Sequence, residues 1–178
     1  MGAGKSSIGR HLAQLLGWPF VDLDRRIEEQ AGAGIPWIFD REGEAGFRRR
    51  ERAALQAALV EADSVIACGG GIVLDPDNRR DLRARAFVVH ISASIEELAQ
   101  RLERDRQRPL LQGAGDRRAR LEELARLRDP LYAATADLVF ASPGCGPATA
   151  ARRLAACLPQ DLAVFPAAAH DGDGALPQ

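Results

Sequence analysis

Apolar residues at Ile8, Leu12, Leu15 and Leu16 recur at the three- and four-residue spacing of one helix face, and Gly17-Trp18-Pro19 ends the run. The pattern then changes period. Phe20-Val21-Asp22, Ser64 to Cys68, Phe87 to Ile91 and Leu138-Val139-Phe140 are short apolar stretches of strand length. Between them, helices are predicted over 24–30, 37–41, 45–61, 78–85, 95–104, 117–134 and 147–158. Strands alternating with helices, with no internal repeat, predict an α/β domain built on a parallel sheet flanked by helices. The domain is expected to span 1–158. From Pro159 to Gln178 periodicity stops and Ala, Pro, Gly and Asp dominate, which predicts a disordered, solvated tail.

Composition narrows the function without naming it. The 178 residues carry 24 Lys+Arg against 25 Asp+Glu with 46% apolar residues, as expected of one soluble domain. No basic surplus is available to hold a phosphate backbone and few aromatic side chains to stack on bases, so a nucleic-acid partner is not expected. No apolar run reaches the length of a membrane span and no signal-peptide pattern is present, so a cytoplasmic protein without a membrane partner is expected. Cys68, Cys145 and Cys157 are odd in number and lack C-x-x-C spacing, which predicts reduced thiols rather than disulfides or a zinc site.

The chemistry begins where the first helix begins. Gly2-Ala3-Gly4-Lys5-Ser6-Ser7 is the second half of a P-loop, in which backbone N–H groups and a helix N-terminus cradle phosphate, the Lys neutralises it, and the Ser hydroxyl meets Mg2+. The first glycine of that pattern and the strand before it would precede Met1. The expectation is therefore a sheet lacking its first, central strand in this chain, and a native start further upstream. Stranded edge groups beside an empty slot would otherwise cost roughly 1–3 kcal/mol each.

Three further patterns bear on a site. Extending strand alternation through Asp22-Leu23-Asp24 places both carboxylates on one side, suited to a metal and a substrate hydroxyl; taken alone, Asp24 reads equally well as a helix N-cap. Gly69-Gly70-Gly71, directly after a strand, allows another group to approach the backbone closely. Arg48, Arg49 and Arg50 share one helix, where successive side chains diverge by ~100°, so at least one of them faces solvent. Charge crowds the chain from Arg101 to Arg108, and Pro109 to Gly115 supplies glycine hinges, the make-up of a lid over about 104–115. Arg128 alone reads as an ordinary surface arginine.

In order along the chain, Gly2-Ala3-Gly4-Lys5-Ser6, Phe20-x-Asp22-x-Asp24-x-x-Ile27-Glu28, Ile38-Phe39 with Gly43-Glu44, Phe47-Arg48-x-x-Glu51, Gly69-Gly70-Gly71, Arg108-Pro109-Leu110-Leu111 and Arg128-x-Pro130-Leu131-Tyr132 resemble the shikimate kinase family of small P-loop kinases. The resemblance covers residues from Met1 to about Leu158. It implies a P-loop NTPase-type fold with a lid, and transfer of the γ-phosphoryl of ATP to the 3-hydroxyl of shikimate, a step toward aromatic amino acids. It also implies roles. ATP would be bound by Gly2, Ala3, Gly4, Lys5, Ser6, Ser7, Arg101 and Arg108, with Arg101 at adenine and Arg108 closing on the transferring phosphoryl. Ser6 would hold Mg2+ directly and Asp22 through water. Asp24, Arg48, Gly70 and Arg128 would bind shikimate, and Lys5, Asp24 and Arg108 would act in catalysis. A monomer is expected.

The chain departs from the family pattern after Phe140, where Ala141 to Gly146 lacks an arginine that some members direct at adenine, and in its tail. Another small-metabolite kinase, such as a gluconate kinase, shares the P-loop and lid but gives no reason for Arg48, Gly70 and Arg128 together. An inactive nucleotide-binding module and an arginine-rich RNA binder are the remaining alternatives.

Overall fold

The computed structural model describes residues 3–61, 63–98, 117–141, 144–160 and 162. Six α-helices and four short strands are defined among them. In chain order these are α1 (Lys5–Leu16), β1 (Phe20–Asp22), α2 (Leu23–Ala31), α3 (Ile35–Ala58) and β2 (Val65–Ala67). A 3-10 turn (Ile72–Leu74), α4 (Pro76–Arg85), β3 (Val89–Ser92), α5 (Arg117–Thr135), β4 (Leu138–Ala141) and α6 (Pro147–Ala155) follow.

Every strand pairing is parallel, as the alternation of strands and helices predicts, but the strands form two sheets rather than one. β1 pairs with β2 in the register Val21 to Ile66, and β3 pairs with β4 in the register His90 to Val139. β2 and β3 are not hydrogen-bonded to each other. A cavity of about 1130 Å3 is lined by residues of both pairs, among them Ile66 and Val89, and by Leu12 of α1. It exceeds the roughly 300–1,000 Å3 usual for a small-ligand pocket because the space lined by the strands is continuous with the polar mouth described below.

Two apolar clusters hold the layers. In one, Ile8 and Leu12 of α1 meet Phe140 and the α6 residues Ala150, Ala151 and Leu154, so these helices cover the same region of the sheets. In the other, Leu23, Ile27, Ile38, Phe47, Leu55 and Leu82 lock α2, α3 and α4 together. The 37–41 and 45–61 helices expected from the sequence are the two arms of α3, which breaks at Gly43 with φ 68° and ψ −178°. Only glycine adopts that geometry without strain, so the break separates the arm carrying Arg48 from the arm packed on α2.

Several boundaries differ from the sequence expectation. Leu23 is the first residue of α2, not a continuation of the strand, because Asp22 accepts a hydrogen bond from the Arg25 N–H and caps the helix itself. The cap is thus Asp22 and not Asp24. The 147–158 helix ends at Ala155, and the strand expected from Phe87 begins at Val89. The helix expected over 95–104 is seen only at 95–98; the rest of it, the 104–115 segment and residues 163–178 lie outside the described residues.

Candidate functional site

α1 begins at Gly4, whose left-handed backbone, φ 82° and ψ 19°, turns the chain into the helix. No side chain caps this end and no acidic residue lies in the first turn. The first-turn N–H groups of Lys5, Ser6 and Ser7 therefore have no intrahelical acceptor, and with the positive end of the helix dipole they form an anion seat. Ser6 and Ser7 are exposed and Lys5 is half-buried, with Ala3 packed beneath the turn.

The carboxyl ends of β1 and β2 open beside this seat. Asp22 ends β1, and Asp24 lies in the first turn of α2. A Cβ on Gly69 would fall 3.1 Å from Glu51 Oε1 and 3.2 Å from Asp24 Oδ1, so two carboxylates converge on the glycine that follows β2. A Cβ on Gly71 would fall on the Arg48 guanidinium. The bare backbone of this turn is thus approached by charged side chains from α2 and α3. Burial, with the charge of Glu51 next in weight, pushes the Cys68 thiol up to about 12, and Lys5, Asp24 and Asp22 also act on it. That thiol is a neutral, unreactive wall of the site.

Arg48 projects from α3 and donates to Glu51 at 2.5 Å and to Glu44 at 3.2 Å. Its guanidinium carbon lies 5.3 Å from the centre of the Phe47 ring. Burial works to lower its pKa, but the charges and hydrogen bonds of Glu51 and Glu44 outweigh burial and raise it, so Arg48 stays charged. Burial raises the pKa of Glu51, with Arg48 opposing, Asp24 adding and Arg128 opposing. Arg128, expected at the surface, is instead 7% exposed, and its Nε is buried without a hydrogen-bond partner. A buried donor without a partner is a group that an anion satisfies, and Arg128 is one of the residues lining the cavity. Tyr132, one turn further along α5, donates from its hydroxyl to the Gly70 carbonyl at 2.5 Å.

The fold therefore gathers Lys5, Asp22, Asp24, Arg48, Gly70 and Arg128 around one mouth. Gly2, Arg101 and Arg108 lie outside the described residues. Of the three neighbouring arginines, Arg49 faces solvent, as the ~100° helical step requires of at least one. Two residues carry more of the site than their sequence context indicates. Glu51 sits in the apolar stripe Phe47, Ala54, Leu55 and Ala58, and a carboxylate in a buried stripe three residues after an arginine signals a buried pair. Tyr132 shares the Arg128 face at the i, i+4 spacing.

Among the described residues no group of three or more His, Cys, Asp or Glu side chains could cage a metal. The donors present, one hydroxyl at Ser6 and the Asp22 carboxylate, suit Mg2+, which keeps most of its water and takes the rest of its ligands from phosphate.

The shikimate kinase family model matches residues 1–159. The chain is 49% identical over 140 residues to the shikimate kinase of Histophilus somni, covering 79% of this chain and 80% of that protein. It is 51% identical over 154 residues to the shikimate kinase of Xanthomonas oryzae pv. oryzae, covering 86% and 85%. Among solved structures it is similar to a shikimate kinase from Acinetobacter baumannii in complex with shikimate, with a TM-score of 0.83 and 42% identity over 86% of each chain. A shikimate kinase from Bacteroides thetaiotaomicron matches with a TM-score of 0.80 and 31% identity, over 88% of this chain and 93% of that one.

Proposed function

This chain belongs to the shikimate kinase family, and on that premise we propose the residues by which it transfers a phosphoryl group from ATP to shikimate. The observation that carries the assignment is the convergence of Asp24, Glu51 and Arg48 on the bare Gly69 to Gly71 backbone, beside a buried Arg128 whose Nε lacks a partner. Shikimate is a small acid bearing hydroxyls. Arg48 and Arg128 present guanidinium forks suited to its carboxylate, and the Gly70 N–H adds a neutral donor. Asp24 accepts from the ring hydroxyls and receives the proton of the attacking one.

The triphosphate is assigned to the N-terminus of α1, with the N–H groups around Gly4 to Ser7 and the Lys5 ammonium on the outer phosphates, and with Ala3 shaping the turn. Ser6 and Asp22 are the residues that would hold Mg2+, which when bound neutralises charge on the β- and γ-phosphates. The resemblance assigns the phosphate-loop position of Gly2, the adenine contact of Arg101 and the closing contact of Arg108. Transfer here depends on positioning and charge neutralisation, with no covalent enzyme intermediate. Asp24 needs no strongly shifted pKa, because in a loose transition state the hydroxyl proton leaves late.

No helix among the described residues is long and apolar enough to cross a membrane. A monomeric cytoplasmic enzyme belongs to the same reading, and the balanced charge supports the part of it that expects no nucleic-acid partner. The test is coupled ADP release with shikimate beside gluconate. Turnover with shikimate alone is expected; turnover with gluconate alone, or no ADP from either, overturns the reading.

A further inference from the structure

Three glycines in a row carry no side chains with which to hold their own peptide planes, and glycine has more backbone freedom to lose than any other residue. The Gly69-Gly70-Gly71 turn therefore needs outside contacts to present one fixed surface. One contact stands out. The Tyr132 hydroxyl donates to the Gly70 carbonyl at 2.5 Å, across 62 residues of sequence. The peptide bonds are trans, so a carbonyl and the N–H that follows it point in opposite directions. Pinning the Gly70 oxygen toward α5 turns the Gly71 N–H away from α5, and it fixes the Gly71 Cα against which the Arg48 guanidinium lies.

The tyrosine itself is well held. Its ring stacks on His90 of β3 with centroids 4.5 Å apart and planes 25° apart, which prevents the side chain from swinging off the carbonyl. Burial, opposed by the nearby Arg128, raises the Tyr132 pKa, so the hydroxyl keeps its proton and remains a donor. Tyr132 also stands one helical turn from Arg128 on the same face of α5. One helix face thus carries both an arginine of the site and the pin for the opposite wall.

Resting on the substrate reading above, we propose that Tyr132 is a positioning residue for shikimate: through the Gly70 carbonyl it holds the glycine wall, and with it Arg48, in the geometry that receives the substrate carboxylate. It touches neither nucleotide nor the reacting oxygen. Its loss therefore acts on shikimate binding and leaves ATP binding and the phosphoryl-transfer step in place.

The experiment compares the protein with its Tyr132→Phe variant, which keeps the ring and its stack on His90 and removes the hydroxyl. Because that hydroxyl also meets Arg128, the same change is made in an Arg128→Ala background, where a further rise in shikimate Kd is expected and its absence overturns the proposal. Shikimate and ATP KM, kcat and thermal midpoint are measured for both, with calorimetric shikimate affinity as a readout independent of turnover. The shikimate KM and Kd are expected to rise roughly 3- to 10-fold, with ATP KM, kcat and midpoint nearly unchanged. A Tyr132→Leu variant, losing the stack as well, should show the same selective effect with a lowered midpoint. An unchanged shikimate KM and Kd in Tyr132→Phe, or equal changes in both substrates, overturns the proposal while leaving the substrate reading intact. Failure of the unmodified protein to bind or phosphorylate shikimate overturns the reading and the proposal with it.

Discussion

Arg48 and Glu51 form a 2.5 Å ion pair in which the acid is almost wholly enclosed: the Glu51 side chain is 2% exposed and that of Arg48 21%. The pair holds the guanidinium at Nη1, while Glu44 accepts from Nε and Nη2, so the fork is fixed from two sides with its terminal nitrogens against Gly71. Removing the acid leaves the half-buried cation with the exposed Glu44 at 3.2 Å in place of its buried partner. Glu51→Ala is expected to lower stability by about 3 kcal/mol, read from urea melts, and to raise the shikimate KM. A variant as stable as the parent would show that the pair does not hold the arginine.

Arg128 is enclosed with an unpartnered Nε, so a substrate carboxylate is its natural complement. A charged hydrogen bond is worth roughly 1.5–3 kcal/mol, which predicts that Arg128→Ala weakens shikimate binding ~10- to 150-fold. Titration with a non-hydrolysable ATP analogue should give the parent affinity. Equal shikimate affinity in both proteins would remove Arg128 from the site.

Gly71 has φ −87° and ψ −8°, a conformation open to alanine, and the nearest atoms a methyl group would meet there are those of the Arg48 guanidinium. That group ends a flexible side chain and can retreat. Gly71→Ala should therefore raise the shikimate KM about 10-fold by displacing the fork, with a modest fall in thermal midpoint as the Arg48–Glu51 pair loosens. A large fall in midpoint with a normal KM would contradict this account.

Lys5 opens α1, and in the proposed reading its ammonium is the side-chain charge that follows the moving phosphate. Lys5→Met should fold, with its circular dichroism spectrum and melt preserved, and turn over at least roughly 100-fold more slowly. Near-parental turnover would end the phosphate-seat assignment.

Burial lowers the His90 pKa below its ordinary 6.5, with Asp129 opposing and Lys5 adding. A group whose pKa is depressed on folding contributes stability that is present in full above the unfolded value and is lost as pH falls through the folded one. Above pH ~6.5, replacing His90 with an untitratable ring should therefore leave the pH slope unaltered. Melts of the parent and His90→Phe are expected to run in parallel from pH 8 to 7, and the parent should then lose stability faster as pH drops below 6. A constant difference down to pH 5 would refute the buried-neutral histidine.

The local elements were legible where one periodicity ruled. Ile8 and Leu12 mark the inner face of α1, and Gly4 and Gly17 bound it with left-handed turns that favour glycine. The Phe20, Val65, Val89 and Leu138 strands were visible as short apolar runs. The strand over Phe20–Asp22 is legible, but its alternation does not carry through Leu23 and Asp24, because alternation and a helix start look alike over three residues; the hydrogen bond from the Arg25 N–H to Asp22 decides it. Arg128 alone reads as a surface arginine, yet it lies on the stripe of Leu121, Leu124, Ala125, Leu131 and Tyr132 at helical spacing, and packing of that face is what encloses it.

By itself the sequence determined the alternating α/β order, the phosphate seat at the start of α1, and the ordered motifs that place the chain among the shikimate kinases. These are local facts, carried by spacing along the backbone. Only the tertiary structure decided that Glu51 is buried, that Arg128 is enclosed, that Tyr132 reaches Gly70, and that the strands stand as two pairs with a cavity lined by both. The reason is that burial and partnership depend on which faces meet across long stretches of chain. The desolvation and pairing that make Glu51, Arg128 and Tyr132 functional arise only when α3, α5 and the glycine turn are packed together.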